Sequence, residues 1–214
     1  MAAVGSELAA EALAARRLGV LGGSFDPPHL GHLHALRAAR RAFALDHTVF
    51  VPAGRPPHKP DRSLATAEDR IRMLELLLAG EPGCSIWTEE LHRSGPSYTV
   101  DTVLLLRSLV GESVELFWIL GSDNLEGIGG WHRVEELLTL CRPIVVYRRG
   151  AGLEPPDSLS REARELLVAG AIEERPEDAD STRLRAQVTD PDAPCPELPP
   201  ALREYIRERG IYSA

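Results

Sequence analysis

Short apolar runs that stop at glycine or proline, alternating with stretches of helical period, constrain this chain more than any other feature. Leu18–Gly22, Thr48–Pro52, Ser85–Thr88, Val114–Leu120 and Pro143–Tyr147 each read as a strand buried on both faces, because apolar residues follow one another without the alternation of a half-exposed strand. Around them, Leu30–Phe43, Ala67–Leu78, Val100–Leu109, Trp131–Leu140, a stretch near Arg161–Val168 and Ala201–Arg209 carry apolar residues at helical spacing. Regular alternation of the two implies βαβ units, right-handed crossovers and a parallel sheet. The expected fold is α/β: a Rossmann-like, doubly wound parallel sheet with helices on both faces. Ligands of such sheets sit beyond the carboxyl ends of the strands, where the strand order reverses. Polar clusters fall at those places, 22–32 after the first strand, 54–60 after the second and 121–132 after the fourth. One cleft can collect them all.

A length of 214 residues with 43% hydrophobic content fits one domain with a sizeable core. That domain is expected over 17–214. Residues 1–16 are Ala-rich, carry Glu7 and Glu11 and lack the apolar stretch of a signal peptide, so they read as a flexible or helical extension. A net charge of -8 and a pI near 5.4 argue against a nucleic-acid partner, which needs a broad basic face, but leave room for a small cationic pocket. Cys84, Cys141 and Cys195 show no CxxC spacing and point to a reduced, cytoplasmic protein, with Cys84 and Cys141 packed at the edges of apolar runs. No stretch approaches the ~20 apolar residues of a membrane helix, so no membrane partner is expected. Residues 150–180, rich in Pro, Glu and Asp, read as an excursion holding the short helix near Arg161–Val168.

The stretch GGSFDPPHLGH (22–32) carries the most chemistry. Gly22 and Gly23 let backbone approach a ligand, Ser24 adds a hydroxyl, and Asp26-Pro27-Pro28 is a rigid turn. The helix from Leu30 would aim free N–H groups and its positive end at an anion. His29 and His32, three apart, share one helical face, while His34 falls elsewhere and is expected at the surface. A His-x-x-His pair can ligate zinc, but no third protein ligand is placed to complete the set. Two imidazoles beside a glycine-lined anion site fit phosphate better, as donors to oxygens that gain charge during transfer.

GGSFDPPHLGH resembles the signature of the HxGH-motif nucleotidyltransferase superfamily, whose members use ATP or CTP to make dinucleotides and activated alcohols. VPAGRPPHKP (51–60), GPSYTVDT (95–102), LGSDNL (120–125), GGWHRVEELL (129–138) and STRLR (181–185) resemble, in order, landmarks of the bacterial nicotinate-nucleotide adenylyltransferases, and LPPALREYIRERGIY resembles their closing helix. The resemblance runs from about Leu18 to Tyr212. It implies ATP and nicotinate mononucleotide as substrates and Mg²⁺ arriving with ATP. The implied catalytic donors are His29, His32, Lys59 and Arg185. The implied ATP site is Gly22, Gly23, Ser24, Phe25, His32, Gly121, Asp123, Arg149, Ser181, Thr182 and Arg185. The implied mononucleotide site is Ser24, Lys59, Tyr98, Thr99, Trp131 and His132.

Taken residue by residue, most of these positions have a second reading. Lys59 and His58 are cationic donors over phosphates or part of an exposed polyproline spacer. Ser97, Tyr98 and Thr99 are a plain helix cap or a substrate wall. Trp131 is a core aromatic or a stacking plate, and the N–H groups of Trp131 and His132, at an expected helix start, would suit a ring carboxylate. Asp123 serves a ribose hydroxyl or a magnesium-bound water, or merely caps Asn124–Gly127. Ser181, Thr182 and Arg185 form a polyphosphate seat or a solvated basic helix, with Arg183 on another face. The chain departs from the family's Ile-Ser-Ser-Thr: Ala179-Asp180-Ser181-Thr182 puts a carboxylate beside the triphosphate seat. Two rival functions fit the same motifs, a sister adenylyltransferase acting on phosphopantetheine or nicotinamide mononucleotide, and a nucleotide-binding regulator with impaired turnover.

Overall fold

The computed structural model describes residues 2–57, 64–148, 153–174, 180–190 and 193–213. In chain order the elements are β1 (Ala3–Gly5), α1 (Ala10–Leu13), β2 (Arg17–Gly23), α2 (Leu30–Phe43), β3 (His47–Pro52), α3 (Ala67–Leu77), β4 (Cys84–Trp87), α4 (Glu89–His92) and α5 (Thr99–Val110). They continue as β5 (Glu115–Gly121), α6 (Leu125–Ile128), α7 (Val134–Leu140), β6 (Arg142–Arg148), α8 (Arg161–Ala169), β7 (Ala171–Glu174), α9 (Ser181–Val188) and α10 (Pro200–Glu208). The strands form one sheet in the order β1-β4-β3-β2-β5-β6-β7, and every pairing is parallel.

From β2 the chain winds outward through β3 to β4, then crosses back to β5 on the other side of β2 and continues to β6 and β7. The order therefore reverses between β2 and β5, and a crevice opens beyond their carboxyl ends. Successive strand residues point to opposite faces. Val20, Val49, Leu116 and Trp118 join one core with Val103 and Leu106 of α5 and Leu137 of α7. Leu21, Phe50, Phe117 and Ile119 join the other with Leu36 of α2, Met73 of α3, Leu184 of α9 and Leu202 of α10. Helices on both faces explain why the strand sequences are unbroken apolar runs, and the doubly wound expectation holds.

Three elements differ from the sequence expectation. Residues 3–5, placed in a flexible or helical extension, form an edge strand against β4, and helix in that stretch is confined to Ala10–Leu13. Extended backbone wins there because the β4 edge offers a row of unpaired hydrogen-bonding groups. The helix expected from Trp131 begins at Val134. Gly130 N donates to Gly127 O at 3.0 Å, Trp131 N donates to Ile128 O at 3.0 Å, and Arg133 takes a left-handed conformation, so the chain turns before α7 starts. Finally, the excursion at 150–180 contributes β7 as a second edge strand.

Candidate active site

Two adjoining clefts of about 310 and 340 Å³ occupy the crevice at the reversal point. They share Gly22, Gly23, Ser24, Trp118, Asp123 and Trp131 as a common wall. Gly22 is required there: a Cβ at that position would stand 2.6 Å from the Trp118 ring. One cleft runs on toward Tyr98, Thr99 and His132, the other toward His29, His32, Gly121, Ser181 and Thr182. Phe25 lines the second cleft from a left-handed backbone (φ 49°), while its ring is buried against Phe50 and His32.

The two histidine rings lie against each other, tilted by 38° with centroids 3.9 Å apart. Their protonation follows from geometry. His29 N donates to His32 Nδ1 at 3.1 Å, so Nδ1 of His32 is an acceptor and its neutral ring carries the proton on Nε2. Burial, with the neighbouring Arg183 charge, lowers His29 to about 4, and burial with His29 beside it takes His32 well below the usual histidine range. Both rings are therefore neutral at pH 7, so of the four donors expected from the sequence these two are N–H donors without charge. The helix amides are also fewer than expected. Leu30 N donates to Glu197 O at 2.9 Å and His32 N to His29 O at 2.9 Å, which leaves the Gly31 amide on the cleft wall without an acceptor among the described residues. His34, expected at the surface, is half-buried and lines neither cleft.

The N-terminus of α9 forms the opposite wall. Asp180 caps it, accepting from Arg183 N at 2.8 Å, while among the described residues the amides of Ser181 and Thr182 meet no acceptor. The Ser181 hydroxyl donates to Pro27 O at 3.0 Å. Arg185 donates to Asp26 O at 2.7 Å and to Thr182 Oγ1 at 3.0 Å, so its guanidinium bridges the glycine-rich loop and α9. Arg183 lies on another face, as expected, paired with Glu197.

In the first cleft Trp131 is half-buried, packed on one core while lining both clefts, so its core and cleft roles coexist. The rings of Tyr98 and His132 lie 4.3 Å apart, tilted by 35°. Thr99 opens α5, and among the described residues its amide meets no acceptor. The His132 amide is likewise open, whereas that of Trp131 is spent on Ile128. Asp123 does not cap the following helix, whose N-cap is Asn124; its carboxylate accepts from Asn124 Nδ2 at 3.2 Å beside Gly121 at the end of β5. Lys59, His58 and Arg149 lie outside the described residues.

Sequence reasoning missed the props behind these walls. Arg70, 3% exposed, donates to Ser24 O at 3.0 Å and Ala53 O at 2.7 Å, tying the ends of β2 and β3 together. Tyr212 donates to Asp26 Oδ1 at 2.6 Å. The signal for Arg70 was its place on the apolar stripe of α3, three and four residues before Met73 and Leu74.

The sequence pattern of the family described as cytidylyltransferase-like matches residues 20–187. A relative from Moorella thermoacetica is 40% identical over 201 residues, covering 92% of this chain and 91% of that protein. Another, from Dehalococcoides mccartyi, is 35% identical over 197 residues, covering 92% and 97%. Both bear the name "Probable nicotinate-nucleotide adenylyltransferase". The chain belongs to the nicotinate-nucleotide adenylyltransferase family. In fold it is similar to the Plasmodium falciparum nicotinic acid mononucleotide adenylyltransferase complexed with NaAD, with a TM-score of 0.69, 17% identity and coverage of 92% of this chain and 97% of that one. Among the described residues, Gly22-Gly23-Ser24, Tyr98-Thr99, Asp123, Trp131 and Ser181-Thr182 of these motifs line the double cleft where the strand order reverses.

Proposed function

We propose that this protein transfers the adenylyl group of ATP to nicotinate mononucleotide, giving deamido-NAD and pyrophosphate in NAD biosynthesis. The observation that carries this is the pair of clefts joined at Gly22-Gly23-Ser24, one walled by aromatic rings and open amides, the other by histidines and the α9 N-terminus. The mononucleotide takes the first cleft, its flat ring against Trp131 and its carboxylate at the amides of Thr99 and His132. ATP takes the second, its phosphates at the amides of Gly31, Ser181 and Thr182, with Arg185 adding positive charge beside them. Lys59 and Arg149 join by motif, as donors to phosphate and to the adenosine pocket.

A phosphate oxygen of the mononucleotide attacks the α-phosphorus of ATP in line. The new P–O bond forms as the α–β bridge breaks, and the electron pair leaves with pyrophosphate. The nucleophile needs no general base, because a phosphate monoester loses its second proton near ~6. His32 donates its Nε2 proton in a hydrogen bond to oxygen that gains charge, and His29 fixes the tautomer. Catalysis is positioning plus charge stabilisation.

Among the described residues no three His, Cys, Asp or Glu side chains converge on one point. Asp123 lies at the junction of the clefts, and a single carboxylate with nucleotide phosphates suits magnesium, which keeps several waters. Asp123 would hold the ion with ATP, and the ion would neutralise phosphate charge. No helix of the described residues is long and apolar enough to cross a membrane. Three buried, unbridged thiols suit a reducing, cytoplasmic setting.

Pyrophosphate release, measured with nicotinate mononucleotide, its amide and phosphopantetheine, tests the assignment. Turnover preferring the nicotinate form supports it. Preference for another acceptor makes the chain a sister enzyme, and binding without turnover makes it a regulator.

A further inference from the structure

The ladder between β2 and β3 closes with Ala53 N donating to Gly23 O at 2.9 Å. Past that rung the two chains part, one toward α2 and the other into the strap at 54–57. Ser24 O and Ala53 O are left as neighbouring acceptors, and two carbonyls cannot bond each other. Arg70 of α3 bridges them from below. Its Nη1 donates to Ser24 O at 3.0 Å and to Ala53 O at 2.7 Å, which spends both protons of that nitrogen. Its Nε donates to Ala65 O at 3.2 Å, just before α3 begins. Among the described residues neither Ser24 O nor Ala53 O meets another donor.

We infer that Arg70 is a positioning residue that holds Ser24 and Ala53 at a fixed spacing where the two clefts meet. Ser24 lines both clefts, and Ala53 lines the mononucleotide cleft alone. The attacking phosphate oxygen and the α-phosphorus have to meet at this junction, so the spacing governs their alignment. The arm is mounted on a firm base. Thr66 caps α3 by accepting from Asp69 N at 3.1 Å, Tyr205 donates to Asp69 at 2.8 Å, and Met73 and Leu74 are fully buried. A charged donor holds carbonyl oxygens more strongly than a neutral one, and the planar fork reaches three of them at once. Lysine cannot do this, because its ammonium ends one bond short of Nη1 and it has no Nε.

This inference rests on the proposed function, and the wild-type assay with nicotinate mononucleotide tests that function separately. Given wild-type turnover, Arg70→Lys should lower kcat by about 10- to 100-fold, the loss expected from a small misplacement of reacting groups. KM for nicotinate mononucleotide should rise about fivefold, as for one hydrogen bond lost, while KM for ATP stays within about twofold. ATP is spared because its phosphate seat at Gly31, Ser181, Thr182 and Arg185 makes no contact with Arg70. A residue serving the fold alone would lower the melting temperature without producing that split. Where the lysine variant does not fold, Arg70→Ala takes its place: added guanidinium should restore kcat, and ammonium at equal ionic strength should not. Unchanged kcat, equal changes in both KM values, restoration by ammonium as well, or unfolding of both variants would overturn the inference.

Discussion

His29, 8% exposed with the Arg183 charge beside it, ionises near 4 in the folded protein against about 6.5 in an unfolded chain. Between those values the unfolded state binds the proton and the folded state does not. Folding stability therefore falls as pH drops from 6.5 to 4, by on the order of 3 kcal/mol for this ring alone. Urea midpoints at pH 7 and 4.5 should converge less for wild type than for His29→Asn, whose curve loses that slope; parallel curves would mean that the ring titrates normally. For His32, whose Nε2 proton is fixed by the bond from His29 N, replacement by Ala should lower kcat by about 10²–10³ with melting unchanged, as for loss of one transition-state donor. Normal turnover would remove His32 from the phosphate site. Trp131→Ala should raise KM for nicotinate mononucleotide and spare that for ATP, by the roughly 5- to 150-fold that corresponds to stacking of about 1–3 kcal/mol. Equal changes in both, or unfolding, would mean that the ring serves the core alone.

Helix α9 presents to the nucleotide cleft two amides that meet no acceptor among the described residues, and has already spent a third, that of Arg183, on its Asp180 cap. A carboxylate in that position repels the phosphates that the same helix end attracts. Asp180→Ser keeps a capping oxygen, so stability should stay within about 1 kcal/mol while KM for ATP falls. A rise in that KM with altered magnesium dependence would place Asp180 on the metal instead. This cap was legible in the sequence because Asp-Ser-Thr before an Arg-rich stretch is a local signal, and local signals also gave α2, α3 and the central strands. What the sequence did not disclose depends on distant partners. Ala3–Gly5 is a strand only because β4 leaves an edge open, and the α7 start moved because Gly129-Gly130 lets Trp131 N turn back on Ile128. The neutrality of the His pair was hidden for the same reason: the Phe25 ring packs on His32 and the Arg183 charge acts on His29, and spacing alone assigns neither.

The sheet carries two separate cores, and the clefts sit at its carboxyl edge, so damage deep in a core should weaken the fold and spare the site. Leu106, fully buried against α5's face of the sheet, is such a place. Leu106→Ala should cost about 2–5 kcal/mol in urea unfolding. Both KM values should stay unchanged at temperatures where the variant is folded; a shift in either would mean that the core transmits strain to the crevice. Asp26 brings the scale of the whole chain to bear on one loop. Its carbonyl is held by Arg185, 159 residues later, and its carboxylate by Tyr212, 186 residues later. A ribosome emits the glycine-rich loop early and these two clamps near the end, so a nascent chain stalled at α8 carries every histidine of the site and neither brace. Such long separations slow folding, since the intervening chain must be ordered before the contacts reward it. Translation that aborts midway thus yields fragments with an unsecured nucleotide loop, and competence for catalysis arrives only with the final stretch of synthesis.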